Sequence, residues 1–258
     1  MDTGFRERVR RRQPLVGTFI KSGAHEIAEV LGGTGIDFAV IDAEHAPLGL
    51  DRIDRLVLGA RSAALPCLVR VPALVPALAG QMLDLGSSGI VVPHVADADG
   101  ARAAIAEARY LGGRRGYSPS TRAARYGADG PAGYADRADA ATSVWCQIED
   151  PRALGHLDAI ASVEEVDCLF IGRADLAMAL GVAGGDPTVM EAVRAVAAVG
   201  QRHGRTIGIF VASMEEVPDL LALGITVFAC GSDQSHLAAA GRGMTRALEA
   251  AVRSAGVP

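Results

Sequence analysis

Eight short apolar runs recur along the chain, and a stretch with helical periodicity follows each of them. The runs cover residues 15–20, 38–41, 67–71, 90–92, 144–148, 168–171, 207–211 and 226–230. Strands that are apolar at nearly every position are buried on both faces, which is the condition of a parallel sheet covered by helices. The intervening amphipathic stretches include 24–31, 50–63, 77–85, 99–110, 153–163, 187–201 and 215–223, and Gly32, Gly86, Gly200 and Gly224 stand where helices end. Eight such units in about 250 residues predict a (β/α)8 TIM barrel of the α/β class. The whole of 1–258 is expected to form a single domain, with a carboxy-terminal helix over 237–252 free for oligomer contacts. A doubly wound open sheet is the alternative, but no GxGxxG follows the first strand.

Composition narrows the function. No apolar run approaches the ~20 residues that a membrane helix requires. A net charge of −5 over 258 residues offers no electrostatic footprint for nucleic acid. The arginine-rich residues 1–13 lack the apolar core of a signal peptide and read as a solvated first helix. Cys67, Cys146, Cys168 and Cys230 all fall inside predicted strands with no CxxC pair, which fits small buried hydrophobes in a reducing cytoplasm. Lys21 is the only lysine, so a Schiff base could form nowhere else.

Catalytic groups in a TIM barrel sit at the carboxyl ends of the strands. There the chain places Asp42, Glu44 and His45 after strand two, and Arg70 and Pro72 at strand three. Pro93 and His94 follow strand four, Gln147 and Glu149 strand five, and Asp175 strand six. Independent solvated loops would not concentrate charge at these openings. The strand–helix–strand unit carrying Glu149 and Asp175 crosses over right-handedly, so both carboxylates reach the same sheet edge. Two hard oxygen ligands suit Mg2+ or Mn2+ with coordination positions left for a substrate. Capping of the next helix is the plain alternative for each acid.

His45 opens a loop after two acids, where a neutral imidazole can act as a general base, or merely cap a turn. Arg70 interrupts an apolar strand, so its guanidinium needs an anion in the barrel mouth or a structural partner such as Asp42 or Glu44. Gln147 is a buried amide that needs partners. Asp84 ends its helix against the helix dipole, which hints at a specific partner. His94 is open to a site role or a structural one, whereas His25, His156, His203 and His236 read as incidental. Residues 111–142 lack periodicity and are long for a βα connection, so they read as a lid, a subunit contact or a solvated basic loop.

Taken in order, Asp42-Ala43-Glu44-His45, Arg70-Val71-Pro72, Gln147-Ile148-Glu149 and Gly172-Arg173-Ala174-Asp175-Leu176 resemble the HpcH/HpaI family. Its members are class II pyruvate aldolases of the 4-hydroxy-2-oxoheptanedioate and 2-dehydro-3-deoxy-acid aldolase type. The likeness runs from about Pro14 to Leu237. The resemblance implies Glu149 and Asp175 as ligands of a divalent ion (Mg2+, Mn2+ or Co2+), and Arg70 and Gln147 as groups that orient pyruvate. It implies His45 in proton transfer, and Asp84 reaching a neighbouring subunit's site to support His45 within a homo-hexamer. The substrate-binding set is expected to comprise Phe19, Lys21, Arg70, Gln147, Gly172, Ala174, Asp175 and Ala212. Four positions depart from the family's habit: Phe19 and Lys21 stand where tryptophan and glycine are common, Ala43 where glycine is, and Arg173 where proline is.

The implied reaction is reversible cleavage of a 4-hydroxy-2-oxo acid to pyruvate and an aldehyde through a pyruvate enolate. Three other readings stand beside it. A Schiff-base aldolase would use Lys21 and leave Glu149 and Asp175 idle. An acyl-CoA hydroxy-acid lyase would share the metal acids. A barrel serving only for binding would need neither base nor arginine.

Overall fold

The computed structural model describes residues 3–128 and 130–255; Met1, Asp2, Asp129, Gly256, Val257 and Pro258 lie outside the described residues. Eight parallel strands close into a barrel in chain order: β1 (Leu15–Ile20), β2 (Phe38–Asp42), β3 (Cys67–Arg70), β4 (Gly89–Val92), β5 (Ser143–Ile148), β6 (Cys168–Ile171), β7 (Thr206–Val211) and β8 (Val227–Ser232). The helices around it are α1 (Thr3–Arg10), α2 (His25–Gly32), α3 (Leu50–Ser62), α4 (Leu78–Asp84), α5 (Ala98–Ala108), α6 (Tyr134–Ala141), α7 (Pro151–Leu154), α8 (Leu157–Ala161), α9 (Arg173–Leu180), α10 (Pro187–His203), α11 (Val217–Ala222) and α12 (Asp233–Ala255). The fold is the TIM barrel that the eight apolar runs predict.

Strand side chains alternate between two apolar compartments. Ala39 and Ile41, Cys67 and Val69, Val144 and Cys146, and Leu169 and Ile171 pack outward under the helices. Phe38 and Val40, Leu68, Val91, Trp145, Cys168 and Phe170 point into the barrel. Gly17 makes room for this filling, because a Cβ there would lie 2.5 Å from the Phe38 carbonyl oxygen and 2.6 Å from its ring. Two residues beyond Val40, Leu68 and Trp145 stand Asp42, Arg70 and Gln147. The same period of two therefore turns these polar groups into the lumen at the carboxyl end. Asp42 and Arg70 are register partners across β2 and β3.

The amino-terminal helix differs from the expectation of a solvated segment. Phe5 and Val9 are buried at 1 % and 0 % exposure, and they belong to the interior cluster. The Phe5 ring centroid lies 6.4 Å from Trp145 and 6.1 Å from Phe38. Arg6 donates to Asp167 at 2.9 Å and to the Asp139 carbonyl at 2.9 Å. Helix α1 thus plugs the amino end of the barrel with one apolar face, and its arginines occupy the rim.

Two further differences are local. The expected helix over 153–163 is a pair, α7 and α8, broken at Gly155 and His156. Asp150 caps the first of them by accepting from Arg152 N, and Pro151 fills its first turn. Helix α12 is longer than expected, and Asp233 is its one buried residue. Asp233 accepts from the backbone N–H groups of Lys21 and Ser22 at 2.9 and 3.0 Å, which pins the loop after β1. Leu237, Met244 and Leu248 stay exposed along the rest of that helix. No helix among the described residues is long and apolar enough to cross a membrane.

Candidate active site

The carboxyl ends of β1, β2, β3, β5, β6 and β7 open onto a cavity of about 160 Å3 lined by Phe19, Lys21, His45, Arg70, Gln147, Gly172, Ala174, Asp175 and their neighbours. Asp42 organises one side. It is fully buried and receives Arg70 through two parallel bonds, Nε to Oδ1 at 3.0 Å and Nη2 to Oδ2 at 2.8 Å. Its Oδ1 also accepts from the backbone N–H groups of Glu44 and His45, and Lys21 Nζ lies 3.4 Å from Oδ2. Burial alone would raise the Asp42 carboxyl, but the Arg70 guanidinium outweighs it and holds the group below its ordinary range. The structural partner foreseen for Arg70 is thus present, and it aims the guanidinium at the cavity. Arg70 also stacks over Phe19, with Cζ 4.9 Å from the ring centroid.

Glu149 sits on the other side, 3 % exposed. Its Oε1 accepts from the His94 backbone N–H at 2.8 Å, and Gln147 Nε2 donates to Oε2. Glu44, His94 and Glu149 each offer a ligand atom within 4.8 Å of the others, a grouping that could hold a metal ion. Asp175 is not part of that cluster; it stands in the first turn of α9, on the cavity wall beside Gly172. A Cβ on Gly172 would lie 2.8 Å from Glu149 Oε2, so glycine keeps the space over that oxygen clear.

The donor set fits a divalent cation on grounds of charge and hydrogen bonding. Glu44 Oε2 and Gln147 Oε1 are buried acceptors with no hydrogen-bond partner, although Arg70 Nε lies 3.3 Å from the first. Burial pushes the Glu44 carboxyl above its ordinary range and the nearby Glu149 charge adds to this, while Arg70 and His45 pull the other way. Crowded carboxylates and orphaned acceptor oxygens around one opening are what a hard cation relieves.

Other expected site residues lie elsewhere. Ala212 follows β7 at the surface and is not among the residues lining the cavity. Asp84 ends α4 near the amino end of β4, opposite His45, where it accepts from Arg115 Nη2 at 2.7 Å and from the Tyr110 hydroxyl at 3.2 Å. Among the described residues, none of the segment 111–142 lines the cavity. Arg115 binds Asp84, Arg122 binds Asp54, and Ala123 N–H donates to the Asp84 carbonyl, so these residues hold the segment against α3 and α4, away from the mouth of its own barrel. Sequence reasoning left Asp42, Glu44 and His94 outside the set of site residues. The signal for His94 was its place after β4, the same strand-end position that singled out the others.

The sequence profile of the family described as HpcH/HpaI aldolase/citrate lyase matches residues 15–240. The chain belongs to this family. A 2-dehydro-3,6-dideoxy-6-sulfogluconate aldolase of Pseudomonas putida is 33 % identical over 232 residues, 89 % of this chain and 90 % of that protein. A 5-keto-4-deoxy-D-glucarate aldolase of Shigella boydii is 32 % identical over the same shares of the two chains. In three dimensions, the chain is similar to an HpcH/HpaI aldolase/citrate lyase family protein from Burkholderia cenocepacia. That match has a TM-score of 0.91 at 30 % identity and covers 96 % of this chain and 99 % of the other. As an HpcH/HpaI protein the chain is an aldolase, a carbon–carbon lyase. Its mouth also carries Arg173, whose guanidinium is held by Glu216 at 2.7 and 2.9 Å and by the Phe210 carbonyl at 3.0 Å.

Proposed function

We propose that this HpcH/HpaI aldolase reversibly cleaves 4-hydroxy-2-oxo acids to pyruvate and an aldehyde, and that it requires a divalent cation. The observation that carries the reading is the convergence of His45, Arg70, Gln147 and Asp175 on one cavity beside the buried Glu149. Glu149 and Asp175 are the ligands we assign, and Mg2+, Mn2+ and Co2+ all suit oxygen donors. When bound, the ion supplies Lewis acidity toward the carboxylate and 2-oxo group of pyruvate.

The chain's own residues do the rest. Arg70 spends Nε and Nη2 on Asp42, which leaves Nη1 for the oxygen that gains charge as the carbon–carbon bond breaks. A preorganised donor of that kind contributes roughly 3 kcal/mol in other enzymes. Gln147 orients the pyruvate half. His45 takes the 4-hydroxyl proton in cleavage and returns it in condensation. Phe19, Lys21 and Ala174 face the aldehyde half. The four cysteines are free thiols, which suits a reducing cytoplasm. Exhaustive chelation should abolish pyruvate condensation across a panel of aldehydes, and added Mn2+ should restore it. Undiminished activity in chelator would sink the reading.

Lys21 lines the same cavity, so the covalent alternative has a direct test. Borohydride with pyruvate should add no mass to the protein, and Lys21→Ala should change preference among aldehydes. A pyruvyl adduct on Lys21 would replace the metal mechanism with a Schiff base.

We also assign a homo-hexamer in which Asp84 enters a neighbour's mouth and supports His45 there. Asp84 stands at the barrel end away from His45 of its own chain, and the exposed face of α12 offers surface for subunit contact. Asp84→Asn should slow turnover while sparing metal binding. Mixing it with His45→Ala protomers should recover part of the activity, because some hybrid sites then hold both wild-type groups. A fully active monomer in sedimentation would rule the shared site out.

A further inference from the structure

His94 is held in an unusual way for an exposed side chain. Its backbone has φ +57°, the left-handed region, where a non-glycine residue carries strain on the order of 1–3 kcal/mol. The ring is 64 % exposed, so packing does not fix it. Both ring nitrogens nevertheless face carboxylates. Nδ1 lies 3.0 Å from Glu149 Oε1, and Nε2 lies 3.3 Å from Glu44 Oε1. The strained backbone turns the residue's own N–H onto the same Glu149 oxygen at 2.8 Å. One oxygen of Glu149 therefore accepts a hydrogen bond from the amide of residue 94 and lies against the ring of the same residue. The other faces Gly172, where the missing Cβ leaves room next to the cavity.

We propose that His94 is a positioning residue that clamps Glu149 Oε1, so that Glu149 presents its remaining lone pairs to a divalent cation in one fixed orientation. This rests on the reading of Glu149 as a metal ligand. A glutamate carboxylate rotates freely at its terminal bond, and a ligand that must be ordered on binding loses affinity. Outer partners that hold a ligating carboxylate in place remove that cost, and their loss typically weakens metal binding about 10- to 100-fold. In the imidazolium form, with an N–H on each ring nitrogen, the second contact, to Glu44, keeps the ring from swinging away into solvent. On this reading the backbone strain at residue 94 has a purpose: it brings an amide and an imidazole to one oxygen.

The test is Mn2+ binding measured by calorimetry on the folded full-length chain, without substrate. Wild type should bind Mn2+ and Glu149→Gln should lose it. His94→Gly relieves the φ strain and removes both ring contacts, and it should bind Mn2+ roughly 10- to 100-fold more weakly. His94→Phe keeps an aromatic ring without nitrogens and should lose affinity likewise. Asparagine tolerates the left-handed region and carries an N–H donor, so His94→Asn should recover most of the loss. Wild-type affinity in both the glycine and phenylalanine variants, with Glu149→Gln defective, would overturn the clamp alone. Absence of Mn2+ binding in wild type, or equal binding by Glu149→Gln, would overturn the metal reading and the clamp with it.

Discussion

Glu149→Gln and Asp175→Asn should each lower kcat/KM for pyruvate condensation by about a thousandfold, near 4 kcal/mol of barrier, at the Mn2+ concentration that saturates wild type. Each change keeps the shape of the side chain and removes the charge. Glu149 accepts from His94 and Gln147, and an amide oxygen can still accept one of those bonds, so the barrel should stay folded. The two variants also differ in an informative way. Glu149 is buried within a hydrogen-bonded network, while Asp175 stands at the start of α9 on the cavity wall. Loss of charge at 149 should therefore shift the thermal stability of the cation-free protein more than loss at 175. Near-wild-type turnover in either variant would remove that residue from the ligand set.

Asp42→Ala is expected to produce the largest loss of stability at this end of the barrel. It strands the Arg70 guanidinium, 6 % exposed, without its bidentate partner and leaves the N–H groups of Glu44 and His45 without their acceptor. Breaking a buried pair by removing one member costs about 3–5 kcal/mol. Glu44 lies 3.3 Å from Arg70 and takes up part of the charge, which puts the expectation at the lower end. A fall of roughly 10 °C in melting temperature follows for a chain of this size. The double variant Asp42→Ala, Arg70→Met removes both charges and should regain much of the stability but none of the activity. If the single and double variants melt alike, the pair is not what holds this end together.

The barrel was legible because its signal is local: eight apolar runs of strand length and helix-terminating glycines. The crowding of charge at strand ends was legible for the same reason. Residues joined only by tertiary contact were harder. Phe5 and Val9 are four apart on one helical face, but five arginines in the same dozen residues mask them, and Arg6 finds Asp167 161 residues away. Asp42 was visible as a partner for Arg70, yet its grip on the loop carrying His45 depends on backbone geometry that no spacing reveals. His94 reads either way in the sequence, because what places its ring is a pair of carboxylates that follow two different strands, Glu44 after β2 and Glu149 after β5. Segment 111–142 hid α6 because Gly130, Pro131 and Gly133 crowd the approach to it.

The plug formed by α1 also orders events during synthesis. This helix leaves the ribosome first, but its anchors come last: Asp167 for Arg6, and Thr206, whose hydroxyl donates to the Val9 carbonyl across 197 positions. At about 5–20 residues per second, roughly 8–30 s separate Arg6 from Asp167. Through that interval the apolar face of Phe5 and Val9 has no floor to close. Docking of α1 is thus a late step that requires β6 and β7, and a nascent chain arrested before residue 167 should keep its amino terminus open to protease.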